Sequence, residues 1–239
     1  MVSVPVPVPV SARPTAQAVA HRGDPYHHRE NTLASVRSAL LKGADVVEVD
    51  IRLTRDGVPV LLHDPTLERL WGRPEAVAAL TAAEVERSTG GGVPTLAAAL
   101  AELLSHRTGR ILLDLSDPGP IGPCLAVIRA AGASDRVYWC GHLSAMLAIR
   151  AQDPASEVAM TWTTSRRPPQ SLLADLEPRW LNLQFGLVDH STVAWARDRG
   201  LLVAAWTADW QRSMSRLIGF GADAITTNRL ETLQRLLPR

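Results

Sequence analysis

Residues 46–64 read VVEVDIRLTRDGVPVLLHD, and this stretch shows both how the chain folds and where its chemistry lies. The β-branched run 46–53 predicts a strand, and residues 58–62 predict a second one. The Asp-Gly pair at 56–57 is typical of a tight turn between two strands. We therefore expect two antiparallel arms, the second of which ends at His63.

The first arm carries two carboxylates, Glu48 and Asp50, where a buried strand should be apolar. Because side chains alternate along a strand, both point to the same face and repel each other unless a cation lies between them. Asp114, in a later strand-like run, would supply a third oxygen ligand. Such a set suits Mg²⁺ or Ca²⁺, and Mn²⁺ is also accepted. The alternative is that Arg22 and Arg52 pair with the first two carboxylates.

Two histidines are placed to act beside these carboxylates. If the arms pair around the turn, His63 returns to the level of Glu48, although a shift of one residue would point it away. His21 ends the first strand-like run of the chain, and two such histidines suit general acid–base catalysis. Arg22 follows directly and suits phosphate binding. Structural roles are expected for the remaining histidines, which are His27, His28, His106, His142 and His190.

Outward from this stretch, short apolar strands alternate with helical patterns. The strand-like runs are 19–21, 46–53, 58–62, 111–115, 137–139, 158–162, 181–184, 202–206 and 224–226. The helical patterns between them are 32–42, 95–104, 121–131, 143–151, 191–199 and 211–220, and 166–170 reads as a loop. About eight parallel strands plus one extra predict an α/β fold, a (β/α)₈ TIM barrel with a β-hairpin extension after the second strand. A doubly wound sheet is the alternative, but no Gly-x-Gly-x-x-Gly loop opens a helix.

Composition limits the remaining possibilities. The chain has 239 residues and a net charge of +1, which gives no electrostatic reason to expect nucleic acid as a partner. Two cysteines make no disulfide framework and favour a cytoplasmic setting. No apolar run is long enough to span a bilayer, so a soluble protein without a transmembrane segment is expected. The Val/Pro-rich residues 1–15 predict a flexible tail, and 16–239 a single barrel domain. The sequence carries no indication of an oligomeric state.

Several short motifs follow one another in a fixed order. They are His21-Arg22-Gly23, Glu30-Asn31-Thr32, Glu48-x-Asp50, Asp56-Gly57, His63-Asp64, Pro94-Thr95-Leu96, Trp206-Thr207 and the octapeptide GADAITTN at 221–228. In this order they resemble the signature of the glycerophosphodiester phosphodiesterases, over nearly the whole chain from about residue 19.

The resemblance implies a metal-dependent phosphoric diester hydrolase on a TIM barrel. It would hydrolyse small glycerophosphodiesters to an alcohol and glycerol 3-phosphate, with the glycerol 2-hydroxyl attacking phosphorus first. The implied roles are acid–base catalysis for His21 and His63, phosphate binding for Arg22, and metal binding for Glu48 and Asp50. Glu30 and Asn31 would support the first loop beside the substrate pocket. Trp206 would form part of the pocket wall, or else belong to the core.

Some positions depart from the family pattern. The usual Glu-x-Lys is replaced by Asp114-Leu115-Ser116, which shortens the carboxylate and removes a positive charge beside the pocket. The usual Ser-Phe-Asp is replaced by residues 140–142, Cys-Gly-His, and Arg29 stands where proline is usual. Substrate preference therefore follows less directly than reaction class.

Three other functions compete with this one. The departures at Ser116 and at 140–142 would also suit a non-catalytic barrel that binds a phosphate ligand. A lysophospholipase D-type activity on a lysolipid needs an apolar entrance, which Leu70, Trp71 and Trp162 could supply. A zinc amidohydrolase fits less well, because the first strand lacks a His-x-His pair.

Overall fold

The computed structural model describes residues 16–238, so the tail expected at 1–15 lies outside the described part of the chain. The division into tail and barrel domain stays a prediction. Within residues 16–238 there are nine strands, eight of them parallel. They are β1 (Gln17–His21), β2 (Val46–Leu53), β3 (Pro59–Leu61), β4 (Arg110–Leu115), β5 (Val137–Gly141), β6 (Ala159–Trp162), β7 (Trp180–Gln184), β8 (Leu202–Trp206) and β9 (Ala224–Thr227).

The eight parallel strands form a nearly closed barrel in the order β5-β4-β2-β1-β9-β8-β7-β6. Strands β5 and β6 meet only at one bridge, between Trp139 and Val158. Further along this seam, the Gly141 amide donates to the Thr161 hydroxyl instead of to a strand carbonyl (3.3 Å). The TIM-barrel prediction is therefore confirmed, and the doubly wound sheet was the wrong alternative.

The two arms of the stretch 46–64 pair as their sequence indicates. β3 runs antiparallel to the end of β2, with Ile51 opposite Leu61 and Leu53 opposite Pro59. The turn closes through a hydrogen bond from the Gly57 amide to the Thr54 carbonyl (2.9 Å). Gly57 has φ +78°, a conformation that costs glycine little. The turn brings the chain back so that His63 follows β3 at the open end of the barrel.

Ten α-helices occur within residues 16–238, most of them packed around the barrel. They are α1 (Leu33–Leu41), α2 (Glu68–Trp71), α3 (Ala82–Thr89), α4 (Leu96–Leu104), α5 (Ile121–Ala130), α6 (Leu143–Gln152), α7 (Gln170–Leu176), α8 (His190–Arg197), α9 (Gln211–Phe220) and α10 (Leu230–Leu236). Three short 3₁₀ turns lie at Val77–Ala79, Ser134–Arg136 and Phe185–Leu187. None of the described helices has the length and apolar character needed to cross a membrane.

The fold has a core on each side of the barrel wall. The larger core lies between strands and helices and includes Val47, Val49 and Leu113. The smaller core fills the barrel interior, because the alternate residues of the same strands point inward. Both cysteines, Cys124 and Cys140, are buried and free.

Candidate active site

Each parallel strand places one residue in the apolar interior of the barrel and, two positions later on the same face, a residue that lines a cavity. The interior core takes one residue from each strand: Val19, Val46, Leu112, Tyr138, Ala159, Trp180, Ala204 and Ala224. The residue two positions further along each strand lines a single cavity: His21, Glu48, Asp114, Cys140, Thr161, Asn182, Trp206 and Thr226. The residues at the carboxyl ends of the strands therefore line the bottom of the cavity, and the apolar layer of the barrel interior lies beneath them.

The two acidic residues of this layer, Glu48 and Asp114, lie close to a third carboxylate, that of Asp50, two positions further along β2. Asp50 and Asp114 are register partners of β2 and β4, and each of Glu48, Asp50 and Asp114 offers an oxygen within 4.8 Å of the others. Burial, together with the charges of Asp50 and Asp114, raises the pKa of Glu48 well above its usual range. Burial and Asp50 raise the pKa of Asp114 to about 6. Three carboxylates that disfavour one another's charge, with Glu48 and Asp50 buried and Asp114 half-buried, fit a hard divalent cation.

The loop after β1 holds two of these carboxylates in place. The Arg22 amide donates to Glu48 Oε2 (2.9 Å), and the Arg22 Nε lies 3.1 Å from Asp50 Oδ2. Asn31 Nδ2 donates to the same Asp50 oxygen (2.8 Å), while Glu30 accepts from Arg22 Nη1 (2.8 Å). Glu30 and Asn31 thus support Arg22 and Asp50 and do not lie along the cavity wall. The alternative in which Arg22 and Arg52 pair with the carboxylates of β2 is met by Arg22, which lies beside Asp50. Within residues 16–238, Arg52 pairs with no carboxylate.

A chain of three polar side chains orients His21. Its Nδ1 lies 2.8 Å from Asn228 Oδ1, and Asn228 donates to Asp209 through both its side-chain nitrogen and its backbone amide, each at 2.8 Å. A carboxylate only accepts, so the Asn228 nitrogen faces Asp209 and its oxygen faces the imidazole. Burial, with Arg22, lowers the pKa of His21. The neutral ring therefore carries its proton on Nδ1 and has a free lone pair on Nε2, 3.9 Å from Glu48 Oε2.

His63 is held from both its side chain and its backbone. Its Nδ1 lies 2.7 Å from Asp64 Oδ1, and Arg69 pairs with the other oxygen of that carboxylate (2.5 Å). Arg52 Nε donates to the His63 carbonyl (2.9 Å). The charge of His63 is close enough to contribute to lowering the pKa of Asp114 against the larger effect of burial. Nε2 of His63 is thus the ring nitrogen left for chemistry.

The cavity above this layer has a volume of about 460 Å³ and an apolar far side. Trp206 and Ser116 line it, as does Trp162. Leu70 and Trp71 do not line this cavity; they pack against the small apolar cluster around Leu62, Leu67 and Val85. Of the residues proposed for a lipid entrance, only Trp162 therefore borders the cavity.

Sequence reasoning missed three residues of this site. His142 lines the cavity although a structural role was expected for it. Cys140 hydrogen-bonds Asp114 from the neighbouring strand. Asp209 holds Asn228, which contacts His21, and its charge also acts on the pKa of His21. Cys140 could have been found, because it lies two positions after Tyr138 on the same face of β5. A contact between residues 207 positions apart, such as that between His21 and Asn228, cannot be recognised from local sequence.

Comparison with known proteins gives one consistent family. The model of the glycerophosphoryl diester phosphodiesterase family matches residues 21–115 and 122–232. A glycerophosphodiester phosphodiesterase of Caldanaerobacter subterraneus subsp. tengcongensis is 26% identical, with 92% of this chain and 96% of that protein covered. The Mycobacterium tuberculosis protein named "Probable glycerophosphodiester phosphodiesterase 2" is 30% identical, with 92% of this chain and 90% of that protein covered.

Solved structures give the same fold. The structure of an Oleispira antarctica phosphodiesterase in complex with the product sn-glycerol-3-phosphate matches with a TM-score of 0.81 and 23% identity, over 93% of this chain and 96% of that one. A glycerophosphodiester phosphodiesterase from Thermotoga maritima matches with a TM-score of 0.77 and 19% identity, over 92% and 98% of the two chains. These likenesses establish the barrel, and the family match covers most of it. The chain belongs to the glycerophosphoryl diester phosphodiesterase family of phosphoric diester hydrolases.

Proposed function

We propose that this protein hydrolyses small glycerophosphodiesters to an alcohol and glycerol 3-phosphate, with His21 and His63 as the acid–base pair and one bound divalent metal ion. The observation that carries the proposal is the position of the two histidines beside one cluster of three carboxylates, two buried and one half-buried, at the end of the barrel where the cavity opens.

Glu48, Asp50 and Asp114 would hold the metal ion, because their oxygens converge and their burial disfavours three uncompensated charges. When bound, Mg²⁺, Ca²⁺ or Mn²⁺ would supply positive charge to the phosphodiester oxygens. Oxygen ligands of this kind suit all three ions. Arg22 and Asn31 keep Asp50 oriented whether or not the ion is present.

His21 is the better-placed base. Because Asn228 keeps the proton on Nδ1, the Nε2 lone pair is free to accept a proton from the attacking hydroxyl. His63 then donates a proton from Nε2 to the leaving oxygen, while Asp64 fixes its ring through Nδ1. When the glycerol 2-hydroxyl attacks, this step leaves a cyclic phosphate, which water then opens: His63 accepts a proton from the water and His21 returns its proton to the glycerol oxygen. The sum is addition of water across the P–O bond, and both histidines regain their starting forms.

Arg22 is proposed to bind the phosphate. Its Nη1 and Nε face Glu30 and Asp50, and among residues 16–238 its Nη2 has no protein partner. That nitrogen can donate to a phosphate oxygen at the edge of the carboxylate cluster. Trp206 and Ser116 would then border the organic part of the substrate.

Purified protein incubated with glycerophosphocholine and glycerophosphoethanolamine tests the proposal, with glycerol 3-phosphate as the measured product. Parallel samples contain Mg²⁺, Ca²⁺, Mn²⁺ or EDTA. We expect metal-dependent release that His21→Ala abolishes, while His106→Ala, which alters a histidine paired with Glu102 away from the cavity, retains it. Release of glycerol 3-phosphate in the presence of EDTA would contradict the proposed metal dependence. Its release by His21→Ala would contradict the role of His21 as the base.

Two further outcomes separate the alternative functions. Binding of glycerol 3-phosphate without turnover of any diester would indicate a ligand-binding barrel. Turnover confined to micellar lysolipid would indicate the lysophospholipase D-type reaction, for which Trp162 is the one expected entrance residue that borders the cavity.

A further inference from the structure

Arg52 stands one layer above the carboxylate cluster, toward the open end of the barrel. It follows Asp50 by two positions on β2, so its side chain leaves the same face of the strand. The register places Asp50 beside Asp114 and Ile51 beside Leu115, which brings Arg52 to the level of Ser116. Arg52 Nη1 donates to the Ser116 hydroxyl (2.8 Å).

The charge of this guanidinium has no carboxylate partner within residues 16–238. Its Nε donates to the His63 carbonyl (2.9 Å), as does Nη2, and Nη1 donates to Ser116. Both acceptors, the His63 carbonyl and the Ser116 hydroxyl, are neutral. Arg22, by comparison, faces both Glu30 and Asp50. A partly buried cation without a counter-ion, placed beside residues of the candidate site, is suited to bind an anion.

The unused N–H donors of Arg52 and its neighbouring residues are also consistent with anion binding. A guanidinium has five N–H donors, and three of those of Arg52 are used by the protein, which leaves one on each terminal nitrogen. Ser116 lines the cavity, so the guanidinium of Arg52 is one hydrogen bond away from a residue of the cavity wall. His63 is tied to the same group through its carbonyl.

We propose that Arg52 binds the phosphodiester of the substrate, and that Ser116 and the His63 carbonyl orient its guanidinium for this contact. This inference rests on the proposed function. Two arginines would then bind the phosphate: Arg22, which lies beside Asp50, and Arg52, which lies one level nearer the open end of the barrel. The competing role is purely structural, in which Arg52 only fastens the loop that carries His63.

Arg52→Gln separates the two roles, because a glutamine amide can still donate to the His63 carbonyl but carries no charge. We expect the Kd for glycerol 3-phosphate, measured by titration calorimetry in Mg²⁺ or Ca²⁺, to weaken about 10- to 100-fold, and kcat/KM for glycerophosphodiesters to fall by a similar factor. Adding Ser116→Lys to Arg52→Gln puts a cation back at the same level of the neighbouring strand. It should recover at least about tenfold of the lost affinity.

Arg55→Gln is the matched control, because Arg55 is exposed and pairs with Glu84 and the Ala79 carbonyl outside the site. It should bind and turn over like the wild type. Wild-type affinity in Arg52→Gln, or a double variant no better than Arg52→Gln, would overturn the proposal. Thermal unfolding checks that each variant is folded, and Arg52→Lys, which keeps the charge, should retain most of the affinity. If the wild type turns over no diester, the proposed function fails, while the calorimetry still decides whether Arg52 binds a phosphate.

Discussion

The side-chain oxygen of Asn228 lies 2.8 Å from Nδ1 of His21, and the two residues are 207 positions apart in the chain. Asp209 fixes the direction of the amide, so the contact decides which ring nitrogen carries the proton. Asn228, directly after the last strand β9, thereby fixes the position of the proton on His21 at the end of the first strand β1. The contact is possible because β1 and β9 are neighbours in the sheet.

Asn228→Ala should lower kcat for glycerophosphodiester hydrolysis about 10- to 100-fold with a smaller change in KM. The variant loses the acceptor that holds the proton on Nδ1, so the Nε2 lone pair is no longer guaranteed. Steady-state kinetics over a range of pH check this. An unchanged kcat would mean that the tautomer is set by something other than Asn228.

Without metal, the protein should become less stable as pH rises from about 4 to 7. Burial is the main reason that the pKa of Asp114 is raised to about 6 and that of Glu48 is raised well above its usual range. These two carboxyl groups therefore bind more protons in the folded state than in the unfolded state in this window, and their contribution to stability falls as those protons leave. In EDTA we expect the melting temperature to drop by about 5 °C or more across the window.

Addition of Mg²⁺ or Ca²⁺ at pH 7 should reverse that loss in a concentration-dependent way. Glu48→Gln supplies the control, because it removes one buried carboxylate. It should weaken the pH dependence in EDTA and remove the metal-induced rise in melting temperature. A melting temperature that is flat with pH in EDTA would contradict the repulsion argued for the cluster.

Gly141→Ala should disturb both the fold and the carboxylate cluster. Gly141 has φ +122°, and an added Cβ would lie 2.1 Å from the Leu115 carbonyl oxygen and 2.7 Å from Asp114 Oδ1. We expect a loss of at least about 2 kcal/mol in the free energy of unfolding and weaker metal binding. Gly186→Ala is the control, since nothing lies within 4 Å of its added Cβ. Equal stability of the two variants in denaturant titrations would refute the prediction.

Asp24→Asn should cost stability at neutral pH but not in strong acid. Although burial opposes its charge, hydrogen bonds from Lys42, Ser38 and His27 lower the pKa of Asp24 to about 2. A folded-state pKa below the usual value near 4 gives stability that is present above pH 4 and lost as pH falls toward 2. Denaturant unfolding should show a difference of about 2 kcal/mol from wild type at pH 7, which shrinks to near zero at pH 2. A constant difference would show that packing, not charge, is responsible.

Local patterns were sufficient for the barrel strands and for the acidic half of the site. Residues 46–53 and 202–206 matched β2 and β8 at both ends, because each run begins and ends on apolar residues with high strand propensity or burial. Residues 166–170 were read as a loop, yet α7 begins at Gln170, directly after the prolines. α2, α3 and α10 were not predicted, although α3 begins with a capping box between Thr81 and Glu84 that the sequence displays.

The other half of the site depends on contacts between distant segments. Arg52 was considered as a partner for a carboxylate, and the structure instead turns it to Ser116 and the His63 carbonyl. That choice follows from the register between β2 and β4, which no local pattern specifies. The roles of Asn228 and Asp209 have the same origin.

The single bridge that joins β5 to β6 has a consequence for motion. Backbone amides of a fully paired strand exchange with solvent only when the strand opens, and β6 has a full hydrogen-bonded neighbour on one side alone. We expect hydrogen–deuterium exchange to be faster in 159–162 than in 17–21. The cavity wall formed by Thr161 and Trp162 can then yield at the seam while the carboxylates, on fully paired strands, stay in place. If the site hydrolyses diesters as proposed, this combination of a rigid carboxylate cluster and a compliant wall would let one centre accept leaving groups of different size.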